Sequence, residues 1–450
     1  MRSTNSPTER PAASALYRTL WRWHFYAGLF VLPFILILSL TGAVYLFKPQ
    51  TDRWEERAFR GFGMENAVSA DVQLAAAQAA YPGAVFERYR LPAAPGDAAM
   101  LQLAGQDGKA REVFVSPQGR VLGDLDPDTR ISSIAALIHG SLLLGPWGDR
   151  LVELAASWTI VMILTGLYLW WPRPFALPGT LWPRLSLRGR PLLKDIHRTV
   201  GFWIAGLVLV MLASGLPWAG AWGSAFAAVR AQMGWVQGAQ DWKVGAEDHS
   251  GHGAHGAGPM PMHPAMDHGP ADGLPLSVFV GIAELEDMAY PVIVVPPFTP
   301  QRFGPPTTNV WTVKSETQNR PLTRQVTYDA QMAMEVGRSG FADRHVLDRI
   351  VNTGIAWHEG QLFGLANQLL GLATAIALIG ISVLGVMMWL RRRPAVTLGA
   401  PPAMHGVPVR GLAVALVIAG LLLPLFGASV LLLLLVQVVA RRLRPQSALP

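Results

Sequence analysis

Cysteine is absent from the 450 residues, which excludes disulfides, iron–sulfur clusters and the C-x-x-C-H attachment of a c-type haem. Any haem in this chain has to be held by non-covalent ligands alone. Charge is scarce as well: 15% of the residues are Asp, Glu, Lys or Arg, against 51% hydrophobic. That balance argues against an ordinary soluble enzyme and for the membrane class. No nucleophile motif, phosphate-binding loop or dinucleotide-binding glycine pattern occurs, so neither flavin nor nicotinamide binding is expected. The pI near 9.9 has no basic soluble domain behind it, and nucleic acid is therefore not an expected partner.

Hydrophobic length is what the chain has in abundance. A membrane-spanning helix needs about 20 mostly apolar residues, and Phe25 to Phe47, Leu151 to Trp171, Gly201 to Trp218 and Leu362 to Leu390 qualify. A fifth stretch, Leu412 to Ala440, carries Pro424 and Gly427 near its middle, which predicts two short spans in a hairpin. Lys and Arg cluster at one set of ends: Arg18 and Arg22, then Arg173, Arg184, Arg188, Arg190 and Lys194, then Arg391 to Arg393, then Arg441, Arg442 and Arg444. By the positive-inside rule those ends are cytoplasmic, and segments 48–150 and 219–357 are periplasmic or extracellular. The first span is too long for a signal-peptide core and is expected to be retained.

Two helical templates recur in the same order. His-x3-Gly-x13-Gly reads His24, Gly28, Gly42 and again His197, Gly201, Gly215. His-x5-Gly-x20-Gly-x3-Trp reads His139, Gly145, Gly166, Trp170 and again His358, Gly364, Gly385, Trp389. An ordered recurrence of this kind is an internal duplication, and it sorts the histidines into pairs at two levels. Two histidines facing each other in a helix bundle are what a b-type haem requires. The plainer alternative for His24 and His197 is an interfacial side chain like the neighbouring Trp21, Trp23 and Trp203; for His139 and His358 it is a surface histidine. Gly28 and Gly201 would clear room for a flat macrocycle, Gly145 and Gly364 mark matched bends, and Arg22 and Arg198 could pair with propionates. His345 is a rival ligand, without a histidine counterpart in the first repeat.

Each repeat reads as helix, external domain, helix. The first external domain predicts one helix over Val72 to Ala80 and short strands over Val85 to Leu91, Met100 to Leu103, Arg111 to Val115 and Arg120 to Leu122. The second predicts a helix over Val278 to Met288 and strands over Val292 to Val295, Asn309 to Lys314, Leu322 to Tyr328 and Met332 to Val336. It also holds a Gly/Pro-rich loop, Glu247 to Pro270, with His249, His252, His255, Met260, Met262, His263, Met266 and His268. Imidazole with thioether suits copper, and imidazole alone also suits zinc or nickel.

The motifs WHFYAGLFVLP, IHGSLLLGPWGDRLVE, DIHRTVGFW and WHEGQLFG, with VFVSPQGRVLGDL in the first external domain, resemble the PepSY-associated transmembrane family over roughly residues 17–393. The resemblance implies a mainly α membrane protein: duplicated two-helix repeats forming a four-helix transmembrane core, a C-terminal hydrophobic hairpin, and two small periplasmic α+β PepSY-like domains. The expected boundaries are 1–50 for the cytoplasmic N-terminus and first span, and 51–130 for the first PepSY-like domain. An interfacial helix and second span follow over 131–173, a cytoplasmic loop over 174–197 and a third span over 198–221. The second PepSY-like domain takes 222–340 with its loop 247–270. An interfacial helix and fourth span take 341–391, a cytoplasmic loop 392–410, and the hairpin and tail 411–450. By the same resemblance the chain is expected in the bacterial inner membrane, with two bis-histidine b haems on His24, His197, His139 and His358. It would pass electrons from quinol or a cytoplasmic flavin reductase to a periplasmic metal complex, a ferric siderophore foremost. The alternative functions are a non-enzymatic copper- or iron-binding uptake accessory, and a structural anchor carrying interaction modules.

Overall fold

The computed structural model describes residues 11–171, 177–236, 273–300, 307–393, 397–402 and 409–443. In chain order the first elements are α1 (Pro11–Leu46), α2 (Lys48–Glu55), α3 (Ala70–Ala80), β1 (Val85–Arg90), β2 (Ala99–Ala104), β3 (Ala110–Val115) and β4 (Val121–Leu125). Next come α4 (Ile131–Ser141), α5 (Gly145–Trp170), α6 (Gly189–Gly215), α7 (Gly220–Gln232) and α8 (Leu276–Leu285). The rest are β5 (Val292–Val295), β6 (Val310–Ser315), β7 (Arg324–Asp329), β8 (Glu335–Gly340), α9 (Val346–His358), α10 (Leu365–Leu390), α11 (Val409–Leu422) and α12 (Pro424–Leu443). Contacts divide the chain into two units. One takes residues 1–40, 146–225 and 373–450; the other takes 41–145 and 226–372.

Among the described residues four helices are long and apolar enough to cross a membrane: Ala15–Leu46, Gly145–Trp170, Gly189–Trp218 and Leu365–Leu390. They are the four hydrophobic runs of the sequence, but α1, α5 and α6 begin earlier than hydropathy suggests. α1 starts at Pro11, a residue suited to a first helical turn, and nothing between it and Gly28 breaks the helix. α6 starts just after Arg188 and carries Lys194, Asp195 and Arg198 in its first turns. His24 and His197 therefore lie inside helices, not at their ends. The stretch 412–440 is two helices, α11 and α12, parted at Leu423. Gly420 and Gly427 approach so closely that a Cβ on Gly427 would lie 2.8 Å from the Gly420 carbonyl oxygen. Phe426, fully buried, meets Trp158 of α5 edge-on at 4.8 Å, and the Trp158 indole donates to Ser429 Oγ at 3.1 Å.

The eight strands form one antiparallel sheet in the order β4-β3-β2-β1-β5-β6-β7-β8. The two modules expected from the sequence are thus joined edge to edge. Tyr89 pairs with Val294 and Arg90 with Ile293, and the Leu91 N–H donates to the Val292 carbonyl at 3.0 Å. Each module alone would leave its β1 or β5 edge bare, and pairing those two edges satisfies both. One core is made of Leu101, Leu103, Val113, Val115, Val294, Val313 and Val326 under Ala77 of α3 and Phe279 of α8. The opposite face of the first half is closed by Phe59 stacked on Phe114 at 4.1 Å.

Polar anchors hold the ends of the spans, and they differ between the copies. Asp149 and Glu153 on α5 are nearly fully buried. Glu153 accepts from the N–H groups of Ala221 (2.8 Å) and Trp222 (3.1 Å), and Asp149 accepts from Gly220 (3.0 Å). The carboxylates thereby satisfy the open N-terminus of α7, where partial positive charge gathers. The offset of 219 residues between the second templates maps Asp149 onto Gln368. Gln368 donates instead to the carbonyl of Leu46, which closes α1, at 3.0 Å. Acid meets a helix beginning and amide meets a helix end, as the polarity of each demands.

In the sheet unit, Glu286 accepts from both Nη atoms of Arg338 at 2.8 Å and from the Tyr328 hydroxyl at 2.6 Å. The Arg338 guanidinium holds this carboxyl below its usual range, with Tyr328 adding to the effect. A depressed carboxyl contributes stability that is present at neutral pH and is lost as the pH falls below about 4. The melting temperature of the purified chain is expected to drop in that range. Glu286→Gln is expected to lower it at pH 7 and to flatten the acid limb; an unchanged acid limb in this variant counts against the assignment.

Candidate functional site

The first pair of histidines lies in the unit formed by most of α1 with α5, α6 and α10. His24 Nδ1 is 3.0 Å from the carbonyl oxygen of Met162 and 3.3 Å from Thr165 Oγ1. The Thr165 hydroxyl donates its own proton to the Met162 carbonyl at 2.9 Å, so toward His24 it can only accept. Both partners are acceptors, which places the ring proton on Nδ1 and leaves the Nε2 lone pair available. His197 repeats the arrangement: its Nδ1 is 3.1 Å from the carbonyl of Ile381 on α10. Met162 and Ile381 are 219 residues apart, the offset of the duplication.

Space accompanies each ring. A Cβ on Gly28 would meet nothing closer than Met162 Sδ at 3.7 Å, and one on Gly201 would meet nothing within 4 Å. Arg198, next to His197, donates from Nη2 to the Trp170 carbonyl at 3.2 Å. Its buried Nε has no hydrogen-bond partner among the described residues, so a donor remains for an anionic group. Arg22 is already engaged, donating to the Pro401 carbonyl at 2.7 Å and lying over the Tyr26 ring at 5.3 Å.

The second pair lies in the sheet unit. His139 sits in the last turn of α4, and His358 is the last residue of α9. Their ring centroids are 6.2 Å apart and the planes cross at 86°. Residues 219 positions apart thus come together as a pair. His139 Nδ1 is 3.2 Å from Thr41 Oγ1. The bends that follow both histidines are matched: Gly145 has φ +56° and Gly364 has φ +57°, a backbone that only glycine adopts without strain.

The template glycines prove to serve the opposite template. A Cβ on Gly42 would lie 3.1 Å from His139 Cε1, and one on Gly166 would lie 3.0 Å from His24 Cε1. Each template of the first repeat therefore clears space for the histidine of the other. The hydroxyls of Thr41 and Thr165 and the carbonyls of Met162 and Ile381 were missed by sequence reasoning. One signal was there, because the tripeptide Leu-Thr-Gly occurs at 40–42 and at 164–166.

His345 has a different job. It is the N-cap of α9, its Nδ1 accepting from the Leu347 N–H at 3.3 Å, and its ring stacks on Trp235 at 6.3 Å. The loop with His249, His252, His255, Met260, Met262, His263, Met266 and His268 lies outside the described residues. Among the described residues no three His, Asp or Glu side chains gather to hold a bare metal ion; the fold gathers histidines in twos.

A model of the PepSY-associated TM region family matches residues 21–392, a span that contains all four paired histidines. No curated protein matches the chain.

The cap at His345 is testable. His345→Ala is expected to cost about 1 kcal/mol of stability, seen as a lower melting temperature, while His345→Asn retains most of it. The visible absorption of the purified protein is expected to stay the same in both. A variant that loses colour would make His345 a ligand.

Proposed function

The chain belongs to the PepSY-associated TM region family, and we propose that it is a b-type di-haem membrane protein that reduces an oxidised metal complex outside the cell membrane. One observation carries the reading: His139 and His358 stand 6.2 Å apart, ring centre to ring centre, with crossed planes. That separation would leave room between the two rings for one metal atom held by both, with metal–nitrogen bonds of about 2.0–2.1 Å. His24 and His197 support the same reading, because their Nδ1 partners leave both Nε2 atoms available. A chain without cysteine offers no thiolate ligand to a haem iron.

When bound, each haem supplies a one-electron iron couple. The residues do the rest. His24 and His197 hold one group, His139 and His358 the other. Acceptors on Nδ1 would keep the His24 and His197 rings turned and electron-rich, and the Arg198 Nε is available to a propionate. In this reading the arginine-rich ends face the cytoplasm of a bacterial inner membrane, and the sheet unit faces the periplasm. Electrons come from quinol or from a separate cytoplasmic flavin reductase, one per iron reduced. The acceptor is a ferric chelate of the siderophore class, whose oxygen ligands hold Fe(II) far less tightly than Fe(III).

Purified protein is expected to be red, with a reducible b-type spectrum and two haems per chain by pyridine haemochrome. His24→Ala and His197→Ala are each expected to halve that count and to be equivalent, and the double variant is expected to lose no more than either alone. His139→Ala and His358→Ala are expected to behave as a second such pair. Additive losses within a pair would break the pairing.

Direction is a separate expectation. In proteoliposomes of known orientation, a donor on the arginine-rich side should reduce a membrane-impermeant ferric chelate on the other. His358→Ala should abolish that reduction, and so should His24→Ala. A normal rate in the His358 variant would remove the outer pair from the path.

A further inference from the structure

The Leu-Thr-Gly tripeptides are built as seats for histidine. At 164–166 the hydroxyl and the glycine act on one ring: Thr165 Oγ1 is 3.3 Å from His24 Nδ1, and a Cβ on Gly166 would come within 3.0 Å of His24 Cε1. At 40–42 the same two roles fall on His139: Thr41 Oγ1 is 3.2 Å from its Nδ1, and a Cβ on Gly42 would come within 3.1 Å of its Cε1. The hydroxyl meets the nitrogen and the missing side chain makes room for the adjacent carbon. Two unrelated rings in two units are held alike by the same dipeptide.

The duplication then shows where a seat has changed. An offset of 173 maps Thr41-Gly42 onto Ser214-Gly215, which preserves both the hydroxyl and the glycine. An offset of 219 maps Thr165-Gly166 onto Leu384-Gly385, where the glycine stays and the hydroxyl is gone. His197, the histidine at that level in the second copy, has the Ile381 carbonyl at 3.1 Å from its Nδ1. His24 has a carbonyl and a hydroxyl.

We propose that Thr165 is a positioning residue that makes His24 the stronger donor of its pair, and that Leu384 marks the weaker seat of His197. The physical basis is the hydrogen bond on the distal nitrogen. An acceptor on Nδ1–H draws the proton outward and raises the basicity of Nε2, which stabilises the higher oxidation state of a bound iron and lowers its potential. A second acceptor adds to the first. The leucine at 384 removes that contribution on one side only, so a haem held by His24 and His197 would be held by two histidines of unequal donor strength. The two faces of one group are thereby distinguished without any change of ligand type.

This rests on the haem reading of the preceding section, and the experiment separates the two. Wild type and the variants Thr165→Leu, Thr165→Ser, Leu384→Thr and Gly166→Ala are purified, their haem is counted, and each is titrated potentiometrically. Thr165→Leu is expected to keep two haems and to shift one midpoint to more positive potential. Thr165→Ser keeps the hydroxyl and is expected to restore the wild-type value. Leu384→Thr adds the missing acceptor and is expected to shift the same midpoint to more negative potential. Gly166→Ala forces the His24 ring aside and is expected to weaken haem retention at this level about tenfold, with the other haem unaffected. A wild type without a b-type spectrum would overturn the haem reading and this proposal with it. Normal two-haem spectra, with midpoints that stay still or move together in Thr165→Leu and Leu384→Thr, would overturn this proposal alone.

Discussion

An imidazole inside a membrane helix has two nitrogens to satisfy and no water to satisfy them with. The arrangement of the core follows from how that constraint is met. His24 and His197 give Nδ1 to backbone carbonyls on facing helices, Met162 and Ile381. A carbonyl in mid-helix can accept from side chains as well as from its own helix, as that of Met162 does from Thr165 and His24. The helix thereby binds a histidine of its neighbour without breaking its own ladder. The consequence is chemical: the one nitrogen left over on each ring is the one suited to bind a metal.

In the first repeat glycine completes the fit, whereas a Cβ on Gly385, the counterpart of Gly166, would meet nothing within 4 Å. Gly42 and Gly166 stand against rings that belong to other helices. Their place in each template records the geometry of a neighbour, not of their own helix. The offset of 219 residues carries over to Met162 and Ile381 and to Gly145 and Gly364, and the strand order is symmetric about β1 and β5. The copies have diverged where local polarity differs. Asp149 and Glu153 accept from the N-terminus of α7, whereas Gln368 donates to the C-terminal carbonyl of α1.

Much of this was legible because each signal is local or periodic. The four spans follow from runs of apolar residues, the break near Pro424 from its ring, and Val292–Val295 from four consecutive β-branched residues between turn signals. The helix starts were less legible. Hydropathy reports where apolar character begins, and α1 and α6 continue past it through Trp21, Arg22, Lys194 and Asp195 as ordinary helix. His345 looked like a ligand because histidine type says nothing of its partner; its neighbour in space is the N–H of Leu347.

By itself the sequence determined the membrane class, the duplication, the exclusion of thiol-held cofactors and the sorting of four histidines into two levels. Those conclusions need only composition, period and order. Tertiary structure alone decided that the two external halves share one sheet through Tyr89 and Val294. It also decided that His139 meets His358 at 6.2 Å, and that Thr165 and Gly166 form the seat of His24. These pairings join residues far apart in the chain. Hydrogen-bond reach and van der Waals contact depend on distance in space, which residue order does not encode until the helices have packed.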